Sequence, residues 1–316
     1  MKRSTVTTII GSGALALVAW WTAEQSAAAG RAPQNAQRTA GALTPPSAAA
    51  SAPVAPEAAA SPPAASAPAP TPEQSYLDIP DLTQTDPELD LPGGGNSYCG
   101  PVAISNSLMR LGAERCPRLV PEQSDPKAAQ LELVRRLSSS QYMATSPTHG
   151  TGGMNLMEGL HRYLVSHGCG YRRFAYQGWR GHPPQFSTGV RTPQLAWIGK
   201  ALALGGAAFI NVGWYHRTSS GRAYRRNGGH WLTVVAAGLD ETGAPDPAML
   251  VLHDPAPYAG AKPADEYARA ELVDAQWLVE GRNALPAKGY YRLTGGMHIK
   301  RPGEAAILDG AIVLVP

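Results

Sequence analysis

The chain predicts an α+β domain in which N-terminal helices pack on an antiparallel sheet. Apolar residues recur at helical spacing between Cys99 and Leu204, and short β-branched or aromatic runs take over after Gly206. Those runs are bounded by Gly, Pro, Asp or Asn, and a run of helices followed by a run of strands reads as helices segregated against an antiparallel sheet.

The first helix follows Cys99, where Ile104, Leu108 and Leu111 share one face while Ser105, Asn106 and Arg110 fall elsewhere. Pro101 suits its first turn, and Gly112 suits the residue just past its end. Further helices are expected at Ala128 to Leu137, Leu156 to Val165, and Pro193 to Leu204, the last with Thr192 as N-cap and Gly205-Gly206 as stop. Strands are expected at Ala207 to Val212, Trp231 to Ala236, Met249 to Leu252, Gly289 to Leu293 and Ala311 to Val315, with one helix near Ala270 to Val279 interrupting them.

Residues before this domain carry a different composition. Met1-Lys2-Arg3, an apolar run from about Val6 to Trp21, and the small residues Ala27-Ala28-Ala29 are the parts of a secretory signal peptide over residues 1–29. Gly11, Ser12 and Gly13 make the run a poor membrane span, and an uncleaved signal anchor is the alternative. Residues 30–75 are rich in Ala, Pro, Ser and Thr and too poor in large apolar side chains to bury a core, which predicts a disordered linker. The folded domain is expected over 76–316, in an exported protein of the periplasm, cell envelope or extracellular space.

The net charge of +3 is small and dispersed, so nucleic acid is not an expected partner. No metal or cofactor is expected: His161 and His167 are poorly spaced to share one ion, the cysteines lack Cys-x-x-Cys pairing, and Gly93-Gly94-Gly95 lacks the Lys-Ser/Thr of a phosphate loop. Three cysteines, Cys99, Cys116 and Cys169, leave an odd thiol in an oxidising compartment. If Cys116 and Cys169 are bridged, Cys99 is the free one; three free thiols is the alternative.

Cys99 is the candidate nucleophile. A thiol at a helix N-terminus meets unpaired N–H groups and the positive end of the macrodipole, both of which favour the thiolate. The bland alternative is a buried cysteine acting as a small hydrophobe. Among eight histidines, His230 stands out as the base because Asn227-Gly228-Gly229 delivers it, as a turn, to the start of the strand beginning at Trp231. Asp254, at the end of the next antiparallel strand, would lie beside His230 and hold its tautomer, although Asp254-Pro255 could equally start a turn. Trp231 is expected to line the cleft.

These residues occur in Tyr98-Cys99-Gly100-Pro101, then Gly205-Gly206 before an apolar strand, then Gly229-His230-Trp231, then His253-Asp254-Pro255. In that order they resemble the bacteriocin-processing (double-glycine leader) cysteine peptidase family and its secreted relatives, over about Leu77 to Pro255. The resemblance implies a papain-like fold, a Cys-His-Asp triad, a peptide or protein substrate, and a glutamine whose amide helps bind the oxyanion. Gln84 corresponds to that glutamine, but residues 86–95 look like an insertion before Cys99, and Asn96 is the alternative amide. The segment from Tyr258 to Pro316 has no role in the resemblance. The activity it implies is peptide-bond hydrolysis through a thioester; a cell-wall amide hydrolase with the same triad and a noncatalytic binding module are the competing expectations.

Overall fold

The computed structural model describes residues 79–256 and 265–316; the expected signal peptide and the whole of the expected linker lie outside them. Four α-helices occur among these residues: α1 (Cys99–Glu114), α2 (Pro126–Ser138), α3 (Gly153–Ser166) and α4 (Leu195–Ala203). Nine strands accompany them: β1 (Arg173–Gly178), β2 (Ala207–Arg217), β3 (Ala223–Leu239), β4 (Pro245–His253), β5 (Glu266–Leu272), β6 (Trp277–Glu280), β7 (Asn283–Pro286), β8 (Tyr291–Gly295) and β9 (Ala305–Val315). None of the described helices is long and apolar enough to cross a membrane.

The expected papain-like arrangement of helices on an antiparallel sheet is overturned. Strand β2 pairs with β3 on one edge and with β9 on the other, so β2, β3, β4, β5, β8 and β9 close into a six-stranded antiparallel barrel. Strand β1 adds to β9, and the β6–β7 hairpin adds to β3 through the one parallel pairing. Closure removes the open edges that a sheet would present. The residues after Tyr258, left without a role by the resemblance, supply β5 to β9 and thereby complete the barrel.

Alternation along the strands divides the core in two. Ala208, Ile210 and Val212 of β2 point into the barrel with Leu232, Val234, Leu250, Leu252, Leu293 and Val313, joined by Ile198 and Ala201 of α4. Ala207 and Phe209 point outward with Ile312 and Leu314, against Ile104, Leu108 and Leu160 of α1 and α3. Two-sided burial explains why β2 is apolar almost continuously rather than alternating.

Helix α2 begins at Pro126 with Asp125 as its cap, its side chain accepting from Ala128 N. The α1 helix runs through Gly112 to Glu114, correcting the expected stop. Gly112 is instead a close-contact position, since a Cβ there would meet Val120 Cγ2 at 2.3 Å. Helix α4 starts at Leu195 with Gln194 as its N-cap residue, not at Pro193. The helix expected near Ala270 is replaced by β5 and β6, where pairing with β4, β8 and β3 overrides local propensity. Cys116 and Cys169 form a disulfide that ties the chain after α1 to the chain after α3. Its sequence separation of 53 corresponds to about 4 kcal/mol of loop-closure entropy removed from the unfolded chain.

Candidate functional site

Cys99 is the first residue of α1 and remains a free, partly exposed thiol. Thr233 Oγ1 donates to the Ala103 carbonyl at 2.7 Å, locking the first turn of α1 onto β3 just beyond His230. That single register places the thiol opposite the imidazole. His230 is not delivered by a turn: Asn227, Gly228 and Gly229 lie within the 17-residue strand β3. Register shifts between Trp214 and Tyr215, leaving Asn227 as an unpaired residue that bends the strand before His230.

Asp254 lies just past the end of β4, whose His253 is opposite Thr233 of β3. Its carboxylate is 1 % exposed and fully engaged. His230 Nε2 lies 2.6 Å from Oδ1, Ala256 N–H donates to Oδ1 at 2.9 Å, and His298 N–H donates to Oδ2 at 2.8 Å. With Nε2 committed to Asp254, Nδ1 is the ring nitrogen left for Cys99. The Trp214 ring stacks on the His230 ring at 5.8 Å, and His298 meets it edge-on at 6.2 Å. Asn211 Nδ2 donates to the His230 carbonyl at 3.2 Å, fixing the backbone behind the ring.

Electrostatics pull the thiol and imidazole toward the charged pair. Burial alone would raise the Cys99 thiol, but the hydrogen bond and charge of His230, with the Trp231 backbone N–H, bring it below its ordinary value. Burial alone would lower His230, but the Asp254 charge and hydrogen bond, followed by those of Cys99, raise it. Asp254 is held below the usual carboxylate range because its charge and hydrogen bond with His230, and the N–H groups of His298 and Ala256, outweigh its burial. Behind it, Glu266 Oε2 accepts from Asp254 N–H at 3.1 Å. Burial, then the nearby charges of Asp81 and Asp254, push the Glu266 carboxyl up to about 9, so it is neutral near pH 7.

The 86–95 segment does not carry Gln84 away from the thiol. It folds into two short 3-10 turns, Pro87–Leu89 and Pro92–Gly95, and returns so that Gly95 packs on the Gln84 backbone. A Cβ at Gly95 would sit 1.8 Å from the Gln84 carbonyl oxygen, and its φ of +77° is one that glycine alone adopts readily. The segment that turns at Gln84 and Thr85 is stitched both to α1 and to the chain beside Asp254: Leu82 N–H donates to Asn106 Oδ1 of α1, and Gln84 N–H donates to Pro255 O. His253 Nδ1 and the Pro80 carbonyl, 3.1 Å apart, add a second tie. Gln84 is buried, its Oε1 has no hydrogen-bond partner among the described residues, and it lines the same cleft as Cys99 and His230. Asn96 also reaches this cleft but is exposed, and its Nδ2 is committed to the Gly93 carbonyl at 2.8 Å.

The cleft has a volume of about 910 Å³. Trp231 contributes to its wall while most of the ring is buried, its Nε1 donating to Thr151 O at 2.9 Å. Sequence reasoning missed Trp214, His298, Asn211 and Glu266. Trp214 could have been found by extending the alternation of β2 past Val212, since Val212 and Trp214 share one face. His298 and Glu266 carry no local signal: Glu266 comes to Asp254 because β5 pairs with β4, and His298 because β8 pairs in turn with β5. The chain matches no protein-family model and no curated protein.

Proposed function

We propose that the chain is an exported cysteine peptidase that cleaves peptide bonds through Cys99, His230 and Asp254. The observation that supports it most is the free Cys99 at a helix N-terminus, facing a histidine whose far nitrogen is held 2.6 Å from a buried aspartate. Such a constellation is recognised by geometry and roles, and it recurs on unrelated folds. The resemblance to bacteriocin-processing peptidases is therefore carried over for the site residues alone, since the barrel departs from the fold it implies.

In this reading the Cys99 thiolate attacks the peptide carbonyl carbon, and the resulting oxyanion is held by the Cys99 backbone N–H and the Gln84 side-chain amide. Collapse breaks the C–N bond as His230 gives its Nδ1 proton to the departing amine, leaving a thioester. His230 then takes a proton from water, and hydroxide attack releases the acid and restores the thiolate. Asp254 keeps the imidazole in one tautomer and supports its charge throughout. Export is supported by the N-terminal pattern and is compatible with the Cys116–Cys169 disulfide.

Digestion of a degenerate peptide library tests this directly. The wild-type chain is expected to cleave it, and Cys99→Ala to lose nearly all turnover. Equal cleavage by both proteins would sink the proposal, and cleavage restricted to cell-wall amides would move it to the amide-hydrolase alternative.

A further inference from the structure

We propose that the cleft selects substrates carrying a carboxylate on the leaving-amine side of the scissile bond, and that Lys300 is the residue that reads it. This rests on the assignment of Cys99 as nucleophile and His230 as acid, because those roles orient the substrate. The group that protonates the departing nitrogen must lie beside it, so the leaving portion runs along the wall that continues from His230. That wall comprises Trp214, His298 and then Lys300, all lining the cleft. Lys300 follows His298 by two residues and lines the same cleft, which places it at that end of the wall.

The charge census of the cleft is one-sided. Among the described residues, no Asp or Glu lines it, whereas Arg180, Arg226 and Lys300 do. Arg226 is already engaged by Asp309 at 2.6 Å and Glu280 at 3.2 Å, and Arg180 pairs with Glu280 as well. Lys300 is exposed and has no carboxylate partner among the described residues. The wall formed by Thr148 to Asn155 holds no Lys, Arg, Asp or Glu and contains Gly150, Gly152 and Gly153. Among the described residues, Lys300 is thus a cation without a carboxylate partner on one side of a cleft that no acid lines, which favours an anionic group there and rejects a cationic one. A carboxylate can come from an Asp or Glu side chain or from the substrate's own C-terminus.

The test separates binding from cleavage. Full-length Cys99→Ala, immobilised, is offered random octapeptides with free or amidated C-termini, and bound peptides are sequenced. Asp/Glu-containing or free-carboxylate peptides are expected to be enriched about fivefold, the range of an exposed charge pair, and the enrichment should fade in high salt. Whichever class is enriched identifies the source of the carboxylate. Adding Lys300→Glu should invert the preference toward Lys and Arg. Equal capture of acidic and neutral peptides, or an enrichment untouched by Lys300→Glu, overturns the inference. Cleavage by the wild-type chain is scored separately: enrichment without any cleavage removes the peptidase reading and leaves Lys300 in a carboxylate-binding cleft. Among cleaved peptides, carboxylates confined to the acyl side would overturn the assigned direction.

Discussion

Two aspartates sit in this barrel with almost identical burial, Asp254 at 1 % and Asp309 at 0 % exposure, and their partners give them different work. Asp309 is the unpaired residue of a register shift in β9, between the partners of Asn211 and Val212. It accepts from Trp179 Nε1 at 2.9 Å, Tyr215 Oη at 2.6 Å and Arg226 Nε at 2.6 Å. A guanidinium does not titrate in the working range, so this cluster is a fixed support beneath the cleft. Asp254 accepts equally many bonds, but its charged partner is an imidazole that can gain and lose a proton and whose other side faces a thiol. Burial makes both carboxylates strong; the chemistry of the partner decides which one holds a fold and which one can serve a reaction.

The largest expected effect comes from exchanging the carboxylate for an amide at each place. Asp254→Asn should lower turnover on the order of 1000-fold or more, because the ring loses its tautomer and its charge support. Asp309→Asn should instead cost about 3 kcal/mol of stability by removing the buried charge that Arg226 Nε pairs with and leaving it only the partly exposed Glu280, with turnover per folded molecule changed less than about threefold. Thermal or denaturant unfolding beside steady-state kinetics reads both, and a larger kinetic loss in Asp309→Asn would erase the distinction.

A smaller effect tests the oxyanion side. Gln84→Ala is expected to lower kcat on the order of 100-fold, whereas Asn96→Ala, whose amide is spent on Gly93, should change it less than about threefold. The reverse ranking would hand the role to Asn96.

The smallest effect is a shift in pH. Protonating the Cys99 thiolate removes the nucleophile, so activity falls as pH drops through the lowered thiol value. Deprotonating His230 removes the acid, so activity falls again as pH rises through the raised imidazole value. The plateau should therefore begin below the ordinary thiol value of about 8.5 and extend above the ordinary imidazole value of about 6.5. Asp254→Asn should move the alkaline limb to lower pH by removing the charge that raises His230, while Asp309→Asn should leave both limbs in place. Profiles of kcat/KM distinguish these outcomes, and the Cys99 alkylation rate reads the acid limb alone, because alkylation needs the thiolate but no general acid.

Much of the site was legible in local pattern. The helix after Cys99, the strand after His230 and the strand ending before Asp254 all carry periodicity and punctuation that depend only on neighbours in sequence, and they meet as antiparallel logic requires. The odd cysteine count required at least one thiol without a partner inside the chain, but left a Cys116–Cys169 bridge and three free thiols both open; the structure shows the bridge and leaves Cys99 free. Gln84 was less legible, because nothing in 86–95 announces that two short turns will fold back and seat Gly95 on its carbonyl. The helix expected near Ala270 failed because strand pairing outweighed a short apolar pattern. The Gly-Gly before His230 was misjudged as a turn because a bulge and a turn share the same composition.

By itself, then, the sequence determined the candidate residues and most of the elements that hold them, since capping, periodicity and the favourable placement of a thiol at a helix end act over a few residues. Tertiary structure alone decided that the strands close into a barrel. Pairing of β2 with β9 joins residues about a hundred positions apart, and no local window registers the elimination of two sheet edges. Strand pairing of β5 with β4 and with β8 likewise brings Glu266 and His298 to Asp254, and carries Lys300, two residues on, to the wall beyond His230.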